Sequence, residues 1–156
     1  MTSRERGKQS LRAWLRLLAC ENVIEQYLRS RLREEFNITL PQFDVLSELD
    51  HAGTPLTMSS LSNKLMVSNG NVTGVIDRLE RDQFVARQPS PNDRRVHFIS
   101  MTDKGKAKFQ DMVTVHEGWV EELFNDLSLN DLENLLGILK KTHASAGQRA
   151  QQEQSK

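Results

Sequence analysis

The sequence is poor in the residues that crosslinks, metal centres and membrane spans require. It holds one cysteine, Cys20, so no intramolecular disulfide can form, and no Cys/His spacing suggests zinc. No apolar run approaches the ~20 residues that cross a bilayer, and Met1 to Gln9 is polar and charged, unlike a secretory leader. A cytoplasmic protein with no membrane attachment is expected. HExxH, GxSxG and a phosphate-binding glycine loop are absent, as is a carboxylate pair placed for acid–base work, and the four histidines are isolated from one another. Neither turnover nor a metal or cofactor is therefore expected.

Net charge is also missing, because 21 Lys and Arg balance 21 Asp and Glu. The balance is not local. Residues 55–106 carry eight basic and five acidic side chains, whereas residues 107–135 carry one and seven. A phosphate backbone meets a local face and not the chain sum, so a basic middle keeps nucleic acid open as a partner.

What is present is helical periodicity. Leu11, Trp14, Leu15, Leu17, Leu18, Val23, Ile24, Tyr27, Leu28 and Leu32 predict one long helix ending near Phe36. Its apolar stripe is wider than one packing face, which implies two burial partners. Pro41, Phe43, Val45, Leu46 and Leu49, followed by Gly53 and Pro55, mark a second helix that stops near Ala52. Thr57 is placed to cap a short third helix with Met58, Leu61 and Leu65 inward, and Met66 to Ser68 reads as a tight turn. The next helix has Val72, Val75, Ile76 and Leu79 as its buried side. At about 100° per residue, Gly70, Gly74, Asp77 and Arg81 then centre its outward face, with Asn71, Thr73 and Arg78 flanking and Asn69 nearer the buried edge. Two short helices joined by a tight turn make a helix-turn-helix.

That second helix begins SNGNVTG, an unfavourable start, since each glycine costs about 1 kcal/mol against alanine. A duplex partner accounts for it. Asparagine offers a donor and an acceptor side by side, matching the N6 and N7 edge of adenine. Threonine bonds a base or phosphate, and outward glycines let the backbone lie close to base edges at the N-terminal end that recognition helices insert. Ser68, Asn69, Asn71, Thr73, Gly74 and Arg78 are the expected DNA contacts of this helix.

Beyond Phe84, short β-favouring runs flank PSPNDRR, whose prolines exclude a helix, so a hairpin with a stiff basic tip is expected. An arginine at such a tip suits a narrow minor groove. Asp93 is placed to orient Arg94 or Arg95, and spacing does not say which arginine enters. Thr102 then caps a helix with Met112, Val113, His116, Trp119, Val120, Leu123, Phe124 and Leu127 on one side. Ser128 with Asp131 opens a last helix carrying Leu132, Leu135, Leu136 and Leu139. From Ser145 the polar, Gln-rich sequence reads as a frayed tail.

The stretch LSNKLMVSNGNVTGVIDRLERDQFVARQPSPNDRRVHFISMTDKGKAKF resembles the winged helix-turn-helix of MarR-type (multiple antibiotic resistance) bacterial transcription regulators. Its D-x-R wing motif is Asp93 and Arg95, and its T-x-x-G is Thr102 and Gly105. Length and helix order extend the resemblance over residues 10–143. It implies a mainly α fold with a small β-hairpin: dimerisation helices at 1–36 and 107–145, a winged helix-turn-helix at 37–106 and a polar tail at 146–156. It further implies an obligate homodimer on a palindromic double-stranded operator, probed by a small-molecule effector that enters a cleft beside the dimer helices and releases the DNA. The stretch around RLLAC resembles members that respond to aromatic acids or their acyl-CoA thioesters, with Trp14, Arg16, Cys20 and His51 as candidate cleft residues. Peroxide sensors of this family use a lone first-helix cysteine, but only Tyr27 is present of the tyrosine pair such a site needs, so Cys20 is expected to be an inert buried thiol. A winged helix that binds only protein is a further alternative, which Arg78, Arg81, Arg87, Arg94 and Arg95 disfavour.

Overall fold

The chain turns helical at Ser3 and stays so for 34 residues, since nothing before Asn37 interrupts the pattern. The structure, a computed structural model, describes residues 3–65 and 69–154. Helix α1 spans Ser3–Phe36, α2 Leu40–Ala52, α3 Met58–Leu65, α4 Asn69–Arg81, α5 Asp103–Leu123 and α6 Leu129–Gln154. Strands β1 Leu56–Thr57, β2 Val85–Pro89 and β3 His97–Met101 form one antiparallel sheet in the order β1-β3-β2. The expected turn at Met66 to Ser68 lies outside the described residues.

Local chemistry explains the boundaries. Asn37 ends α1 in the left-handed region at φ 53°, and Gly53 ends α2 there at φ 64° with its N–H on the Leu49 carbonyl. Thr39 and Gln42 open α2 with a reciprocal capping box, and Pro41 sits in its first turn. Thr57 caps α3 through Ser60 N–H, and Ser128 and Asp131 cap α6 reciprocally, as their spacing predicts. β2 is an edge strand, so Pro89 at its end breaks no ladder. The expected hairpin is β2 and β3, and β1 adds a short third strand, with Leu56 opposite Ile99.

The chain divides into two compact units, Met1–Trp119 and Val120–Lys156. In the first, Leu32, Leu46, Leu61, Ile76, Leu79, Ile99 and Met112 are fully buried. His116 stacks on Phe43 with ring centroids 4.5 Å apart, and Trp119 packs against Phe36. Only the C-terminal part of α1 joins this core, through Leu28 and Leu32. Leu11, Trp14, Leu15, Leu17, Leu18 and Val23 are 40–65% exposed. In the second unit Leu132, Leu135 and Leu139 are half-buried, while Leu129, Leu136 and Ile138 are exposed. The tail expected to fray after Ser145 is instead helix to Gln154. Its Ala, Gln, Glu and Arg residues are good helix formers, and polarity there forbids burial but not helicity.

Gly105 explains the T-x-x-G spacing. The Thr102 hydroxyl donates to the Gln83 carbonyl at 2.6 Å and accepts from Gly105 N–H, while Thr102 N–H binds the Phe84 carbonyl. This lays the first turn of α5 directly on the Gln83–Phe84 turn. A Cβ on Gly105 would sit 2.0 Å from the Phe84 carbonyl oxygen. Gly105→Ala is therefore expected to lower stability by about 2 kcal/mol or more, despite its better helix propensity, as a drop in the urea midpoint at unchanged slope.

Candidate nucleic-acid interface

The buried side of α4 is as its spacing predicts. Val72, Ile76 and Leu79 are 1%, 0% and 0% exposed, and Val75 is half-buried. Opposite them Gly70, Asn71, Thr73, Gly74, Asp77, Arg78 and Arg81 are exposed. A Cβ built on Gly70 or Gly74 meets nothing within 4 Å, so no packing demand among the described residues accounts for either glycine. Asn69 opens the helix. Ser68 lies outside the described residues.

At the hairpin tip, Asp93 accepts from Arg95 three times: from the backbone N–H at 3.0 Å, from Nε at 3.2 Å and from Nη2 at 3.3 Å. The Arg95 hydrogen bonds hold the Asp93 carboxyl below its usual range. The Arg95 side chain is nevertheless 91% exposed. It is thus a charge projected from a two-proline turn with its orientation set by its neighbour. Arg94 is exposed and has no such tether among the described residues.

Arg87 departs from the expectation that it presents free charge to a duplex. It is half-buried and bound to Asp77 on α4, with a second approach of 3.6 Å to Glu80. Spacing along a strand carries no information about a partner on the preceding helix. Arg78 and Arg81 from α4 and Arg33 from the end of α1 are cations on this side with no ion pair among the described residues, and Arg33 reads from sequence as ordinary solvated charge.

Two adjoining clefts run along α4. One, of about 400 Å³, is lined by Arg29 and Arg33 from α1, Leu40, Pro41 and Gln42 from α2, and Asn71, Gly74, Val75 and Arg78 from α4. The other, of about 420 Å³, shares Arg29, Leu40, Pro41 and Val75 with it and adds Glu25 and Asp44. Sequence periodicity could not find them, because each draws single residues from several helices. None of Trp14, Arg16, Cys20 and His51 lines either cleft. All four are exposed, and Arg16 borders a shallow groove along α1. Cys20, expected to be a buried thiol, is exposed, like the apolar residues Leu17, Leu18 and Val23 beside it on α1.

Burial, with Glu25 and Glu48 nearby, pushes the Asp44 carboxyl up from 3.8 to about 6. The folded state therefore keeps a proton that the unfolded state has released between these values, and stability falls as pH rises through that window. Asp44→Asn is expected to melt higher than the parent above pH ~6 and together with it below pH ~4, read as Tm against pH.

A family profile described as the MarR family matches residues 38–97. The HTH-type transcriptional regulator YkoM of Bacillus subtilis is 33% identical over 88% of this chain and 86% of its own length. The transcriptional activatory protein BadR of Rhodopseudomonas palustris is 32% identical over 83% of this chain and 75% of its own. Among solved structures, AbsC of Streptomyces coelicolor superimposes with a TM-score of 0.76 at 26% identity, covering 94% of this chain and 96% of that one. A mutant of E. coli MarR complexed with operator DNA gives 0.76 at 26% identity, covering 86% and 95%.

Proposed function

Because the chain belongs to the MarR family of DNA-binding transcription regulators, which are not enzymes, we propose that it acts in the cytoplasm as a homodimer on a palindromic operator, as a repressor released by a small aromatic acid or its CoA thioester. The observation that carries the DNA contact is the open glycine face of α4 beside a tethered, projecting Arg95. Asn69, Asn71, Thr73 and Gly74 enter the major groove, Ser68 and Arg78 meet the flanking backbone, and Asp93 presents Arg95 to the minor groove with Arg94 alongside.

The homodimer is supported by the apolar surface one copy leaves uncovered. Leu11, Trp14, Leu15, Leu17, Leu18 and Val23 on α1, with Leu136 and Ile138 on α6, are too large a set for solvent exposure. A second copy covering the α1 face would also enclose Trp14, Arg16 and Cys20. For the effector, the two clefts along α4 offer an apolar wall of Leu40, Pro41 and Val75 for a ring, and Arg33 and Arg78 for a carboxylate, Arg29 being paired with Glu25. These have the stronger claim on an aromatic acid than His51, which stands in the last turn of α2.

A mobility shift on the DNA upstream of its own gene, repeated with aromatic acids and their CoA thioesters, tests this reading. The expected result is a two-copy complex that weakens steeply with salt and is dissolved by a member of the panel. Salt-independent binding would point to a protein partner. Sulfenylated Cys20 with loss of DNA binding after sub-stoichiometric peroxide would replace the aromatic effector with an oxidant.

A further inference from the structure

A carboxylate at the centre of a DNA-reading face is unfavourable, and α4 has one in Asp77, with Glu80 one turn further on. Both are approached by Arg87, which stands on β2 opposite Ile99 of β3. Its Nη2 binds Asp77 and its Nη1 lies 3.6 Å from Glu80 Oε2. The Arg87 side chain is only 27% exposed. One nitrogen bonded to Asp77 and a second within ion-pair reach of Glu80 on the next turn constrain rotation as well as distance, which a single ammonium cannot do. Along the backbone, β2 leaves α4 through the turn at Gln83, held at φ 64°, with Phe84 N–H on the Leu79 carbonyl. The turn is three residues long and is held on its α5 side by Thr102, while Arg87 reaches back across it to α4.

We propose that Arg87 is a positioning residue: its fork onto Asp77 and Glu80 sets the angle of the wing against α4, so that the Arg95 tip and the α4 glycine face reach their two grooves together. This rests on the DNA-binding reading above. It differs from charge neutralisation, in which Arg87 only cancels Asp77 and Glu80 before they face phosphate.

The experiment uses the full-length protein on its operator, with dimethyl sulfate reporting the major groove and hydroxyl radical the flanking minor groove. Arg87→Gln is expected to lose about a hundredfold in affinity, as much as loss of the Arg95 contact itself, to keep the major-groove protections and to lose the flanking ones. Adding Arg95→Ala to it should cost little more, since the tip is already misplaced. The triple variant D77N/E80Q/R87Q, which leaves no uncompensated carboxylate but also no fork, should still lack flanking protection. Should R87Q fail to fold, R87K is read in the same way and is expected to share the loss. Unchanged flanking protection in R87Q or R87K, additivity with R95A, or recovery in the triple variant would overturn the proposal. Absence of any footprint with the parent protein would instead sink the DNA-binding reading on which it rests.

Discussion

Arg95→Ala is expected to lower operator affinity by at least a hundredfold while leaving the melting temperature unchanged. The side chain is 91% exposed and its partner Asp93 lies in the same turn, so folding loses almost nothing. Binding loses a charge-assisted contact at each wing. At roughly 1.5 kcal/mol or more apiece, two wings on one operator account for the hundredfold. A titration at fixed salt gives the affinity, and the salt slope should become shallower because fewer cations meet the duplex. Asp93→Ala should fall between parent and R95A, since it frees the guanidinium without removing it.

Gly74→Leu should separate stability from function in the opposite sense. Its Cβ meets nothing within 4 Å and the position lies inside a regular helix. Leucine should therefore raise stability by roughly 0.5–1 kcal/mol, the difference in helix propensity. The same side chain would stand between the α4 backbone and the base edges. Specific binding is then expected to decline to the sequence-independent level, with Kd of roughly 10⁻⁴ to 10⁻⁶ M. A variant that folds better and binds worse identifies a residue retained for contact with a partner and not for packing.

The parts of this molecule readable from sequence are those set by local rules. The inward register of α4 followed from four apolar residues, and Gly70 and Gly74 fell outward by the same arithmetic. Thr57, Thr102 and Ser128 announced their caps because a cap needs only a hydroxyl three residues from its donor. The Thr39–Gln42 box carries a signal of the same kind in its T-x-x-Q spacing. β1 is two residues long, too short for an alternation to show, and exists because β3 offers it an edge.

Long-range pairing left no such trace. Arg87 stands ten residues from Asp77 and is joined to it only by the fold, so a count of cations overstated the charge a duplex meets. The clefts along α4 assemble from α1, α2 and α4 at once, and no periodicity within one helix encodes them. The exposure of Cys20 has the same origin. An apolar helix stripe says that something covers it, but not whether that cover comes from the same chain.

The central claim is that the bare backbone at Gly70 and Gly74 is where duplex DNA approaches. Dimethyl sulfate footprinting of the parent protein on its operator tests it most directly. The account predicts two clusters of guanine N7 protection in successive major grooves, centred about one helical turn, roughly 10 bp, apart. Guanine N7 left equally reactive in bound and free operator would contradict it.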